Sequence, residues 1–168
     1  MSSPSGRPPA VVFGRIPPWA LRWLVLPFAL AVALHACALD TFRVAGSSME
    51  GALAPGDFLL VSKLGPSSRI LIGWLPARGD VVIFRLPRNR SLVLVKRVVA
   101  LPGDQVDPAQ LGGGSAHVVP PGHVYVVGDN RTPGASSDSR EWGDLPVDAI
   151  VGTAVIRLWP LQRLGPVG

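Results

Sequence analysis

Residues 91–101 read SLVLVKRVVAL, and the reading of this run decides the fold. Apolar residues fill both parities: Leu92, Leu94, Lys96 and Val98 fall on one face of a strand, Val93, Val95, Arg97 and Val99 on the other. Four further runs have the same character: FLLVSKL (58–64), DVVIFRL (80–86), HVYVVGD (123–129) and IVGTAVIRLW (150–159). Each is bounded by turn formers, among them Pro55-Gly56-Asp57, Arg78-Gly79-Asp80, Pro87-Arg88-Asn89, Pro102-Gly103-Asp104, Pro121-Gly122 and Gly128-Asp129-Asn130. Beyond residue 40 no run has a helical period, so the pattern predicts a small, mostly β domain over 40–168. LGGGS at 111–115 reads as a flexible loop, and no internal repeat is visible.

Upstream of that domain the pattern changes. WALRWLVLPFALAVALHACAL (19–39) is apolar apart from Arg22 and His35, and its length matches one bilayer crossing of about 20 residues. Arg7, Arg15 and Arg22 precede Asp40 with no acid among them, which predicts a cytoplasmic N-terminus and an extracytoplasmic β domain. Trp19 and Trp23 suit the interfacial belt of a retained anchor. The small-x-small triplet Ala36-Cys37-Ala38 is the feature that would fit a cleaved leader instead. Residues 1–18, rich in Pro, Ser and Gly, read as a disordered cytoplasmic tail.

Composition narrows the chemistry. The 168 residues are 48% hydrophobic and only 16% charged, against about 25% charged in ordinary soluble domains. The one cysteine, Cys37, excludes an internal disulfide and a cysteine-built zinc site. Net charge is +5, but the bases are scattered and not interleaved with aromatics, so nucleic acid is not the expected partner. Lysine occurs only as Lys63 and Lys96.

Three places could carry a reaction. Lys96 lies among aliphatic residues. If buried, its ammonium is disfavoured and the neutral amine becomes a general base; on the strand pattern alone, an edge lysine that reaches back to water is the commoner arrangement. Gly46-Ser47-Ser48-Met49 follows the apolar segment and could present a serine on a tight turn with backbone N–H groups near it, though Gly-Ser pairs also serve as plain linkers. Gly128-Asp129-Asn130-Arg131 and Asp138-Ser139-Arg140-Glu141-Trp142-Gly143 form a dense polar stretch, either a solvated loop with an Asp138–Arg140 pair or part of a site. His123 with Asp129 offers a weak route to a serine triad.

In order along the chain, Gly-x-Ser-Met (46–49), Pro-Gly-Asp-x-Leu-x-Val-x-Lys (55–63), Arg-Gly-Asp-Val-Val-x-Phe (78–84), Lys-Arg-Val-Val-x-Leu-Pro-Gly-Asp (96–104), Gly-Asp-Asn-Arg (128–131) and Asp-Ser-Arg-x-Trp-Gly (138–143) resemble the boxes of type I signal peptidases. The resemblance runs from the apolar segment to Trp159-Pro160. It implies an antiparallel β domain behind one transmembrane helix and a membrane serine endopeptidase that removes signal peptides from exported proteins at Ala-x-Ala sites, without metal or cofactor. It implies Ser48 as nucleophile and Lys96 as general base, with the Ser48 N–H in the oxyanion hole. Some relatives have a side-chain donor where this chain has Gly46, and Ser47 is a candidate substitute. The serine that orients the lysine maps to Ser136, with Ser137 the alternative, and Asp138 and Arg140 brace its loop. Met49 and neighbouring strand residues are candidate pocket residues.

The chain departs from the pattern in having Gly51-Ala52-Leu53 where Pro-Thr-Leu is usual, and Thr132 to Ser137 between the last two boxes. The implied partners are preprotein signal peptides, the lipid bilayer and the secretion translocon, at a plasma or inner membrane. Ser48 is nine residues past Leu39, within about 30 Å of the bilayer even if fully extended. Leu71, Ile72, Trp74 and Leu75 either dip into the membrane surface or belong to a hairpin core. Rival readings are a peptidase dedicated to one substrate, as in pilin or conjugation systems, a repressor-type self-cleaving protease, and a tethered module that binds signal peptides without cutting them.

Overall fold

Apolar alternation in the strand runs sets the architecture of the computed structural model, which describes residues 22, 23, 25–29, 32, 38–67, 74–111 and 113–167. The chain divides into Met1–His35 and Ala36–Gly168. In the first unit residues 22, 23, 25–29 and 32 are helical, with Trp23, Leu26 and Phe28 exposed. Among the described residues no helix is long and apolar enough to cross a membrane. Most of the expected 19–39 anchor, and all of the 1–18 tail, lie outside the described residues.

The second unit is an antiparallel sheet. Its strands are β1 (Leu39–Arg43), β2 (Phe58–Ser62), β3 (Val81–Leu86), β4 (Asn89–Ala100), β7 (His123–Val127), β8 (Leu145–Pro146) and β9 (Ile150–Trp159), in the order β1-β2-β9-β3-β4-β7-β8. β10 (Gly165–Pro166) pairs with β9, while β5 (Gln105–Val106) and β6 (His117–Val118) form a separate ribbon. All five predicted runs are strands. Helical turns are short: α1 (Leu64–Ser67), α2 (Pro108–Leu111) and α3 (Ser139–Trp142). The predicted 111–115 loop thus begins as the last residue of α2, and Gly113 and Gly114 follow with positive φ. Trp74 packs on the core, whereas Leu75 is exposed.

Alternation on β3 shows how the sheet is filled. Val81 and Ile83 join one cluster with Val44, Met49, Leu53, Leu59, Val61 and Ala154. Val82 and Phe84 join another with Val98, Val124, Val126, Leu145 and Ile150. A strand buried on both faces explains why the run reads as continuous rather than alternating hydrophobicity. Each such side chain contributes about 1.5–3 kcal/mol when fully buried.

A four-residue turn recurs three times, at Ala54–Asp57, Ala77–Asp80 and Leu101–Asp104. In each, the third residue is a glycine at φ 94°, 93° or 87°, the conformation that a type II turn requires and that a Cβ disfavours. Each closing aspartate accepts, through its carboxylate, the N–H of the first residue at 2.9, 2.9 and 2.6 Å. Each turn also grips one valine of another segment by two main-chain bonds. The glycine N–H donates to that valine's carbonyl, and the aspartate carbonyl accepts its N–H. The valines are Val44, Val98 and Val119, held at 2.8–2.9 Å. Two of these clamps flank the candidate residues: Val44 leads to Ser48, and Val98 lies two residues beyond Lys96.

Candidate active site

Lys96 sits in the interior of the sheet, because β4 is paired on one side with β3 and on the other with β7. Its register partner is Val82, and only 2% of it reaches solvent. The edge-strand arrangement is therefore excluded for this lysine. Burial pushes the ammonium down from its ordinary 10.5 to about 8, against the upward pull of Asp138 and Asp129 and with the help of Arg140.

Ser48 reaches the same spot from the loop after β1. The Val44 clamp fixes one end of that loop, and Met49, fully buried in the first core cluster, fixes the other. A turn closes behind it through Glu50 N–H to the Ser47 carbonyl at 3.0 Å and Leu53 N–H to the Met49 carbonyl at 2.8 Å. The outcome is a Ser48 Oγ to Lys96 Nζ separation of 2.6 Å, a hydrogen bond between residues 48 apart in sequence. Met49, expected among the pocket residues, is a core anchor with no exposed surface in this structure.

The polar boxes converge on this pair from the other side. Asn130 N–H donates to the Ser48 carbonyl at 3.1 Å, and its Nδ2 donates to the Ser47 carbonyl at 3.2 Å and to Glu50 at 3.3 Å. Gly128 packs so closely that a Cβ there would lie 2.3 Å from Ser136 Oγ and 2.4 Å from the Ser48 carbonyl oxygen. Only glycine leaves room for both. Ser136 is thereby placed against the Ser48 turn, while Ser137 is exposed.

Asp138 organises the loop. Fully buried, it caps α3 and accepts from Ser136 Oγ at 2.6 Å, Gly128 N–H at 2.9 Å and Arg140 Nε at 2.8 Å. Burial by itself would raise its carboxyl, but these bonds outweigh burial and hold it below the usual carboxylate range. Arg97 plays the same part for Asp129, pairing at 2.9 and 2.8 Å while its third nitrogen donates to the Gly79 carbonyl at 2.8 Å. Three sequence boxes thus meet at one guanidinium. Arg97, Asp129 and Asn130 lie in quoted motifs, but their braces join residues from 18 to 83 apart and could not be read from spacing.

Of the remaining candidates, Gly46 and Ser47 are exposed beside Ser48, and a Cβ added at Gly46 would meet nothing within 4 Å. His123 bonds the Pro121 carbonyl at 3.0 Å, and Asp129 is taken by Arg97, so the two do not build a triad. Among the described residues no cluster of metal-ligating side chains occurs.

A hydroxyl and a buried, hindered amine in contact can do nucleophilic chemistry, and comparison with known proteins points the same way. The family model described as signal peptidase, peptidase S26, matches residues 19–112 and 109–159. The chain is 40% identical over 133 residues to mitochondrial ATP-independent inner membrane protease subunit 1a of Arabidopsis thaliana, covering 76% of this chain and 74% of that protein. It is 38% identical over 128 residues to subunit 1b of the same plant, covering 73% and 72%. Against probable signal peptidase I-2 of Synechocystis sp. identity is 29% over 171 residues, covering 86% and 74%. On that breadth of match, the chain belongs to the S26 signal peptidase family, the type I signal peptidases, and is a serine peptidase.

Proposed function

We propose that this protein is a membrane-anchored endopeptidase that removes signal peptides from exported preproteins after small residues, with Ser48 as nucleophile and Lys96 as general base. The observation that carries the reading is the 2.6 Å contact between Ser48 Oγ and a lysine that is 98% buried. With its ammonium near 8, Lys96 has an appreciable neutral fraction at neutral pH. The neutral amine accepts the hydroxyl proton as Oγ attacks the scissile carbonyl, and the resulting ammonium returns a proton to the leaving amine. The acyl-enzyme is then hydrolysed by water that Lys96 deprotonates in turn.

The Ser48 N–H is the oxyanion donor in this scheme, held in place by Asn130 bonding the carbonyls of Ser47 and Ser48. Ser136, bonded to Asp138, orients the lysine, and the Asp138–Arg140 pair braces that loop. Met49 positions Ser48 from below. The apolar 19–39 segment holds the domain at the extracytoplasmic face of a plasma or inner membrane, where precursors leaving the translocon present their cleavage sites.

Cleavage of a precursor bearing an Ala-x-Ala site by detergent-solubilised full chain, with product masses recorded, tests the reading. The expected result is a cut after the second alanine, absent in Ser48→Ala and in Lys96→Ala. Full activity in Lys96→Ala overturns the assignment of the base. Binding without cleavage by the native chain overturns the activity in favour of a signal-peptide-binding module.

A further inference from the structure

The turn that carries Ser48 is not stiffened by its own residues downstream. Gly51 stands at φ 107° with open space where a side chain would be, and glycine leaves the chain its widest choice of conformations. Ala52 N–H and Leu53 N–H close the turn on the Met49 carbonyl at 3.2 and 2.8 Å, but such local bonds do not fix where the turn sits in the molecule. Met49 and Leu53 anchor it in the core by contacts that have no direction. A directed hold has to come from elsewhere in the chain.

Arg157 of β9 supplies one. Registered opposite Leu59, it donates from one terminal nitrogen to the Ala52 carbonyl at 3.1 Å, and the same nitrogen lies 3.5 Å from Asp57 Oδ2. Asp57 is fully buried. Its carboxylate also accepts Ala54 N–H at 2.9 Å and, on the other oxygen, Arg163, while its main-chain carbonyl accepts Val44 N–H at 2.8 Å. One carboxylate and one guanidinium thereby reach both shoulders of the turn: Val44, four residues before Ser48, and Ala52, four after it. Arg157 Nε is buried with no acceptor among the described residues, which costs stability. An apolar side chain would fill the place without that cost, so stability alone does not account for an arginine here.

We infer that Arg157 is a positioning residue for the nucleophile: by holding the Ala52 carbonyl beside Asp57, it keeps the turn where Ser48 Oγ meets Lys96. The inference rests on the reading of Ser48 as nucleophile. Placement of this kind carries large factors in rate, since a shift of about 1 Å in a reacting group costs about a hundredfold. Arg163 meets the same carboxylate, but among the described residues it makes no hydrogen bond to the turn. The two arginines therefore separate the holding of Asp57 from the holding of Ser48.

The test compares native full chain in detergent with Arg157→Met and Arg163→Met, cleaving a precursor that bears an Ala-x-Ala site. Values of kcat and KM are separated, and hydrogen exchange of the peptide covering residues 48–54 is recorded. Arg157→Met is expected to lower kcat at least about tenfold with KM within about twofold, and to speed exchange at 48–54 while β4 and β7 stay protected. Arg163→Met is expected to keep kcat within about twofold, its pair with Asp57 being part-exposed. Arg157→Lys, which keeps a cation beside Asp57 but not the planar fork, is expected to fall between native and Arg157→Met. It takes the place of Arg157→Met if the denaturant midpoint shows that variant unfolded, and a native kcat in it then overturns the role. Equal losses of kcat in Arg157→Met and Arg163→Met, or a native kcat in Arg157→Met, overturn the positioning role alone. A native chain that does not cleave overturns the proposed activity, and exchange at 48–54 then still decides whether Arg157 holds the turn.

Discussion

Lys63 and Lys96 are the only lysines in the chain, and their surroundings differ in every respect that matters for proton transfer. Lys63 follows the last residue of β2, is part-exposed and forms an ion pair with Asp40 at 3.4 Å. Lys96 lies mid-strand, paired with Val82 of β3 and one residue before the β7 ladder begins at Arg97, and forms no ion pair among the described residues, although two carboxylates act on it. Those carboxylates are engaged elsewhere: Asp138 by Arg140 and Asp129 by Arg97. The contrast teaches that burial, above all, holds Lys96 below its ordinary value, and that Asp138 and Asp129, each paired with an arginine, do not undo it. A carboxylate left to the lysine would hold it charged.

The largest effect that could break this comparison is on rate. Lys96→Met is expected to lower precursor cleavage by at least about a thousandfold, as loss of a general base does, while Lys63→Met leaves it within about twofold, an exposed pair being worth little. Initial rates of both variants decide it. Next comes stability. Asp138→Asn leaves the Arg140 guanidinium without its buried partner and is expected to cost about 3–5 kcal/mol, read from the denaturant midpoint.

Smaller shifts sharpen the comparison. Activity of the native chain is expected to rise with pH through about 8 as Lys96 loses its proton. Arg97→Gln frees Asp129 to act on the lysine, so the rise moves to higher pH. Replacing Arg140, whose charge holds the lysine down, has the same sign. The kcat/KM profile of each variant checks the direction. Smallest is a linkage effect on folding. Between the folded value near 8 and the ordinary 10.5, the unfolded chain still holds a proton that folded Lys96 has released. Raising pH across that window therefore favours the folded state. The slope is expected in the native chain and in Lys63→Met, and to vanish in Lys96→Met, as denaturation curves at several pH values would report.

What could be read in advance follows from how far each interaction reaches along the chain. The five long strands announced themselves because burial of one or both faces leaves a pattern within a dozen residues. β1 did not, since it continues the apolar 19–39 run and most of its residues are exposed. The Gly-Asp turns were legible as turns, but not the valines they clamp, which lie 12 to 19 residues away. Periodicity placed Lys96 among aliphatics yet could not tell an edge strand from an interior one, which depends on β7, some thirty residues on. The meeting of Ser48 with Lys96 was suggested only by family resemblance. Ser136, Asp138 and Arg140 form a local network legible as a polar loop. Its attachment to Ser48, through the bare α-carbon of Gly128, leaves no mark in spacing.

Strand β9 gives the molecule its order of assembly. β1 with β2, and β3 with β4, are hairpin-like neighbours in sequence, of the kind that form within microseconds. The two pairs share no ladder except through β9, which joins Val61 to Ala154 and Ile83 to Gly152. The half bearing Ser48 and the half bearing Lys96 are therefore stitched into one sheet by a strand that follows both in the chain. Until β9 has emerged, β2 and β3 present open edges instead of a finished sheet, and the halves that carry Ser48 and Lys96 share no ladder.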